Sequence, residues 1–390
     1  MVAGQELEQR IHAVRAALGN QWDTLLVTDK INQYYLCGTL QDGLLVIRNN
    51  GGVYYFTRRG FERAKLECPL PVVYPMRSYR DAAAVIGGNL GVTYLETEII
   101  PLAMAARLEK HFIMEEVRSA DALIASVRSV KSAYERDCTR QAGRLHNDFL
   151  TNVVPALLQE GVSEAEFTGE VYRAMLRHGH QGVIRFGMFQ TEMPLGQMGF
   201  GENSLYPTCF DGPGGMRGMG PASPAIGGRE RLLQKGDLVF LDFAYGVEGY
   251  HTDKTQVYMF GAAPSEEVAA AHKKCMEIQK EAAALLKPGN LPSQIYADII
   301  GGLDKAFLEN FMGFGGRRAG FLGHGVGLRV DETPVIAKGF DAPLRENTVI
   351  ALEPKKGMAG AGMVGVEDTY LVTPDGGECL TGGGSEIIVV

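Results

Sequence analysis

The sequence predicts a mixed α/β (α+β) chain built as two units that meet near residue 130. Three observations carry this expectation. Helical periodicities alternate with short β-branched runs up to about residue 130. A capped helix then opens a new segment at Ser132. Two long apolar runs further on, around Asp242 and Glu353, each fold back through a glycine-containing turn and read as β-hairpins.

In the first unit, Leu7, Ile11, Val14 and Leu18 recur at helical spacing, and Gly19 closes that helix. Strands are expected over 24–28, 43–47 and 53–57, the last two joined by a turn at 48–52. Helices near 59–66, 79–86 and 101–112 alternate with short strands near 72–74 and 92–95. Asp29, Lys30, Asn32 and Arg58 fall at strand ends and turns, where Asp and Asn side chains commonly bond nearby backbone, so no catalysis is assigned to them.

The second unit, residues 131–390, starts with a capping box of Ser132 and Glu135 on a helix running toward Leu158. A second box, Ser163 and Glu166, opens a helix ending near His178 and His180, whose rings are expected at free carbonyls of the helix end. Residues 187–228 are rich in Gly, Met and Pro and break from regular structure; a loop this long is expected to wall a binding site. Helices are expected from Ser265 to Leu286 and from Ser293 to about Phe311.

Closing the first hairpin on Val247-Glu248 places Asp242 directly opposite Asp253. Centring the second on Gly360 places Glu353 opposite Glu367. Opposed like charges in a run that is apolar on both faces repel strongly, so something cationic is required between them. Between the hairpins lies His324, flanked by glycines that let the backbone approach a neighbour closely. Singly, each acid reads as a salt-bridge or hairpin residue. Together, Asp242, Asp253, His324, Glu353 and Glu367 make a ligand set for two divalent cations taking oxygen and nitrogen donors: manganese first, with cobalt, iron or zinc as alternatives.

The totals exclude other classes. With 38 basic against 46 acidic residues, net −8, the chain is not built to hold a phosphate backbone, so no nucleic-acid partner is expected. Six scattered cysteines form no CxxC pair, and no apolar run approaches membrane-spanning length. The expectation is a cytoplasmic protein with free thiols and no membrane partner.

The motifs Gly-Asp-Leu-Val-Phe-Leu-Asp242, Asp253-Lys-Thr, Gly-His324-Gly-Val-Gly-Leu, Leu-Glu353-Pro and Val-Glu367-Asp-Thr resemble the five-ligand signature of the pita-bread, M24-type metallopeptidases. That family includes methionine aminopeptidase, aminopeptidase P and prolidase. The N-terminal helix, the 25–38 segment and Val-Arg-Ser-Val-Lys-Ser132 resemble the creatinase-type N-terminal domain of its Xaa-Pro branch. The resemblance implies a creatinase-like domain over 1–130, a pita-bread catalytic domain over 131–390, short peptide substrates with proline after the first residue, and a homodimer. It also implies that Asp242 chelates one metal, that Asp253 and Glu367 bridge both, and that His324 and Glu353 complete the second. Glu353 would shuttle a proton, and Thr255 would support a ligand carboxylate.

Three departures bear on substrate. The family's His loop usually continues to a second histidine, where this chain has Asp331, which as a carboxylate accepts hydrogen bonds but cannot donate them. The histidine common in the Xaa-Pro branch just before Leu233 is absent from residues 221–228. The usual Arg-x-Glu-Asp is Gly365-Val-Glu-Asp368 here. Losing one oxyanion donor costs about 100- to 1000-fold in turnover. Asp331 is therefore expected to take a catalytic or substrate-gripping part, paired with Arg329, Lys355 or a cationic substrate group, and the 187–228 loop to supply the missing contacts. A hydrolase of another small C–N substrate and a non-catalytic binder of the same fold stand as alternatives.

Overall fold

The computed structural model describes residues 2–70 and 73–390. The chain forms two compact units, Met1–Arg128 and Ser129–Val390. In the first, a six-stranded sheet runs Val73–Pro75, Val53–Arg59, Asp42–Arg48, Thr24–Val27, Asn89–Leu95, Ile113–Ser119 across its width. The hairpin of Asp42–Arg48 and Val53–Arg59 is antiparallel, while Thr24–Val27 pairs in parallel with Asn89–Leu95. Helix Gly4–Leu18 buries Leu7, Ile11, Val14 and Leu18, the face its spacing predicts, and ends at Gly19.

One expectation in this unit changes. Lys30 and Asn32 lie in a helix, Lys30–Cys37, rather than in a turn: Asp29 is its N-cap, accepting from Asn32 N. Buried Glu96 holds that helix start through Thr28 N, Asp29 N and Asn32 Nδ2 at 2.6–2.7 Å. Of the strand expected near 72–74, residue 72 lies outside the described residues and the rest belongs to Val73–Pro75.

The second unit holds a four-stranded sheet in the order Ile388–Val389, Tyr250–Met259, Leu238–Val247, Gly196–Phe200. Its five-stranded sheet runs Glu332–Ala337, Phe321–Gly325, Val349–Leu352, Asp368–Thr373, Gly376–Cys379. A bridge between Thr255 and Glu367 links the two hairpins. Helix Ala133–Asp148, opened by the Ser132/Glu135 box, lies on the first hairpin, with His146 stacked on Phe243 and Tyr245 at 5.5 and 5.6 Å. Helix Glu266–Ala284 covers the second sheet, its Cys275, Ile278 and Ala282 packing with Ile350, Leu352 and Tyr370.

Several sequence expectations are corrected here. The 187–228 segment is not wholly irregular: Gly196–Phe200 is a fully buried strand paired with Leu238–Val247. Its glycine and methionine composition hides it, and Gly196 is needed because a Cβ there would come within 2.2 Å of the Asp242 carbonyl. The helix expected from Ser293 to Phe311 starts at Pro292 with Leu291 as N-cap, and stops at Gly301, before a short turn of helix at Lys305–Leu308. His178 and His180 bind other groups than helix-end carbonyls. His178 contacts Asp148 Oδ2 at 2.8 Å and Tyr245 Oη at 3.2 Å, and His180 Nδ1 accepts from Gly246 N.

Candidate metal centre

The first hairpin turns on Glu248-Gly249, both at positive φ, one residue later than expected. Asp242 therefore pairs with Thr255, and Asp253 with Ala244. The shift moves Asp253 diagonally from Asp242 but keeps both carboxylates on one face, because side chains alternate with a period of two. The second hairpin has the expected register: Leu352 pairs with Asp368 and Lys355 with Gly365, so Glu353 and Glu367 stand at the break between the two ladders. His324 reaches the same place from Phe321–Gly325, where it pairs with Ala351.

Asp242, Asp253, His324, Glu353 and Glu367 all line one cavity of about 390 Å³. Its other walls are Phe186, then Met188, Met193, Leu195, Gln197 and Phe210 from the glycine-rich segment, with Phe321 and Val335 from the second sheet and Val330 from the loop between their strands. The four carboxylates are at most 8% exposed. Donor atoms of Asp253, His324 and Glu367 lie within 4.8 Å of one another, as do those of Asp242, Glu353 and Glu367. Thr255 Oγ1 donates to Glu367 Oε2 at 3.3 Å.

The required cation is present, and it is a side chain. Lys355 Nζ donates to Asp242 Oδ2 at 2.8 Å, Glu353 Oε2 at 2.8 Å and Glu367 Oε2 at 2.6 Å. Its side chain is fully buried. Burial alone would lower its pKa, but Asp242, Glu353 and Glu367 outweigh burial and hold it well above the ordinary value. The other groups respond in the same field. Burial first, and Asp242 second, raise Asp253 to about 7. Burial, with Asp253 and Glu353, raises Glu367 well above the carboxylate range. Burial pulls His324 down, yet Glu353 and Asp253 leave it raised.

Asp331 lines the cavity but does not meet Lys355, which corrects that expected pairing. Its two oxygens accept from the backbone N–H groups of Gly187 and Met188, the latter at 2.8 Å, so it pins the glycine-rich segment at the cavity wall. Burial raises its pKa against the pull of those two amides. His324 is the single histidine among the cavity's described lining residues. Gln197, opposite Asp242 on the neighbouring strand, is 1% exposed, and neither its amide nitrogen nor its oxygen has a hydrogen-bond partner among the described residues.

The donor set fits a divalent ion at Asp253, His324 and Glu367. Two carboxylates and an imidazole converge there, and Glu367 Oε1 is buried with no hydrogen-bond partner among the described residues. The triad of Asp242, Glu353 and Glu367 is engaged by the Lys355 ammonium instead.

Residues 137–374 match metallopeptidase family M24, and residues 10–130 match the creatinase/prolidase N-terminal domain. The chain belongs to metallopeptidase family M24. It is similar to an Xaa-Pro dipeptidase of Pyrococcus horikoshii, 26% identical over 372 residues and covering 95% of each chain. Among solved structures it superposes on an Xaa-Pro dipeptidase from Bacillus anthracis with a TM-score of 0.79, at 21% identity, covering 98% of this chain and 100% of the other. An X-Pro aminopeptidase from Thermotoga maritima gives a TM-score of 0.77 at 22% identity, covering 95% and 98%. These superpositions show the fold: a creatinase-type N-terminal domain followed by a pita-bread domain.

Proposed function

We propose that this M24 protein is a metal-dependent hydrolase of short peptides, cleaving bonds of the Xaa-Pro type. The observation that carries the reading is the convergence of Asp242, Asp253, His324, Glu353 and Glu367 on one cavity with apolar walls. The Xaa-Pro class is supported by the names of full-length relatives and by the aromatic and methionine side chains that would pack a pyrrolidine ring.

Asp253, His324 and Glu367 would hold the ion. Bound there, a divalent ion such as manganese supplies Lewis-acid polarisation of the scissile carbonyl and acidifies water. The protein's own groups do the rest. Glu353 has Oε2 committed to Lys355, leaving Oε1, 3.5 Å from His324 Nε2, to take the proton of the attacking water and return it to the leaving nitrogen. Asp331 fixes the cavity wall through the Gly187 and Met188 amides. The Gln197 amide offers the hydrogen bonding that the absent histidines would have provided.

A second reading has a specific observation in its favour. Among the described lining residues, the place of the family's second histidine is held by Asp331, whose oxygens face backbone amides. That suits a hydrolase of a different small C–N substrate. A panel of Xaa-Pro dipeptides and tripeptides, assayed before and after chelation and after Mn²⁺ return, separates the two. Turnover lost on chelation and restored by Mn²⁺ supports the peptidase. Retained metal with no turnover on any member of the panel rejects it for the other substrate class.

A further inference from the structure

We propose that Lys355 is a resident cation standing where a second metal ion would sit, so that this centre takes one divalent ion rather than two. The inference rests on the metal-hydrolase reading above and concerns how many ions that site accepts.

Position is the first argument. The three oxygens that receive the Lys355 ammonium, at 2.6–2.8 Å, belong to the same three residues whose donors converge as a ligand triad. A divalent ion bound by that triad would need its oxygens at about 2.0–2.2 Å, which places it on top of the ammonium nitrogen. Ion and ammonium exclude one another there. The second triad, Asp253, His324 and Glu367, is left to a metal: its Glu367 Oε1 is buried, has no hydrogen-bond partner among the described residues, and lies 3.7 Å from His324 Nε2.

Confinement is the second. The Lys355 carbonyl accepts from Met312 N at 2.7 Å, and its side chain lies 0% exposed with Nζ 5.9 Å from the centre of the Phe240 ring. Its cross-strand partner is Gly365. A Cβ at Gly365 would lie 2.6 Å from Lys355 Cα and 3.1 Å from its Cγ, and Gly365 has φ +129, a conformation that L side chains rarely adopt. A Cβ there would also lie 2.4 Å from the Pro354 carbonyl, so backbone closes this position to a side chain and the lysine stem passes beside it. Gly365 is also the position at which the Xaa-Pro branch usually carries arginine, so this chain brings its positive charge from the opposite strand and delivers it among the acids.

Charge is the third. With a divalent ion bound, all four carboxylates would be ionised and carry four negative charges. One divalent ion with one ammonium leaves a single negative charge on the site, the same balance that two divalent ions reach when they share a hydroxide. No second ion is needed to discharge the cluster.

The test counts ions in the full-length chain. The protein is stripped with a chelator, saturated with Mn²⁺ or Co²⁺, desalted, and assayed by elemental analysis, alongside Lys355→Met. The expected result is one ion per wild-type chain, with the Co²⁺ visible absorption saturating at one equivalent, and two ions per Lys355→Met chain. Two ions, or none, in the wild type overturns the assignment, as does a variant that still holds only one. Two ions in the wild type leave the metal-hydrolase reading intact, whereas none in either protein removes it as well. If Lys355→Met does not fold, the wild-type count decides together with Mn²⁺ paramagnetic resonance: an isolated six-line spectrum supports one ion, and an exchange-coupled spectrum overturns it.

Discussion

Replacing Lys355 by methionine in the metal-free protein should unfold the second unit far more readily, and the size of the effect follows from the geometry. The ammonium makes three charge-assisted hydrogen bonds at 2.6–2.8 Å to carboxylates that are almost wholly buried. Methionine fills the same volume but leaves the acids facing one another in a medium that screens poorly. Removing one partner of a buried ion pair costs about 3–5 kcal/mol, and here three partners lose their cation at once. The cost has a ceiling, because the cluster can take up a proton instead, and Asp253 is already raised to about 7. With that extra proton bound in the folded state and not in the unfolded one, stability falls as pH rises, by about 1.4 kcal/mol per pH unit. Urea unfolding in a chelator at about pH 6 and about pH 8 reads both numbers. The variant should be weaker than wild type by at least about 3 kcal/mol at the higher pH, and the gap should narrow at the lower. Saturating Mn²⁺ should restore much of the loss, since an ion that binds only the folded state stabilises it by mass action. Wild-type-like stability of the variant in chelator at the higher pH would refute the reasoning.

Two further outcomes are expected. Asp331→Ala leaves the Gly187 and Met188 amides without their acceptor, at a local cost of about 1–3 kcal/mol; KM should rise more than kcat falls, with proteolytic nicking near 187–188 accelerated and metal content unchanged. Loss of metal in parallel with activity would show that Asp331 holds the centre rather than the wall. His251 is buried and depressed to about 4 from 6.5, chiefly by burial. Between those values its unfolded form binds the proton that its folded form refuses, so its share of stability is present above about pH 6.5 and is lost as pH falls toward about 4. The raised carboxylates act with the opposite sign, so the informative measurement is the difference between wild type and His251→Gln: the acid-side decline should be shallower in the variant, and parallel curves would reject the assignment.

The helices and hairpins were legible because their signals are local. Leu7, Ile11, Val14 and Leu18 mark one helical face. Ser132 with Glu135 and Ser163 with Glu166 form the reciprocal caps that their spacing implies. What escaped was set by tertiary pairing. Gly196–Phe200 has no β-branched residue to announce a strand, yet the edge of Leu238–Val247 recruits it, and its glycines allow the close approach. Turn chemistry misled by one residue: Glu248 accepts positive φ beside Gly249, so the first hairpin closes there rather than on Val247-Glu248.

Repulsion between opposed acids demands a positive charge, and the five-residue donor pattern alone points to metal as its source. Yet the register centred on Gly360, which the structure keeps, already places Lys355 on the same side of its strand as Glu353, two residues earlier, and across from a glycine. A lysine at that position, with no side chain facing it, lies on the face of the acids and can bring its ammonium among them. The signal was the pair, Lys355 with Gly365, and not either residue alone. A long cation opposite a missing side chain is a packing statement, and here the packing decides how the charge of the centre is balanced.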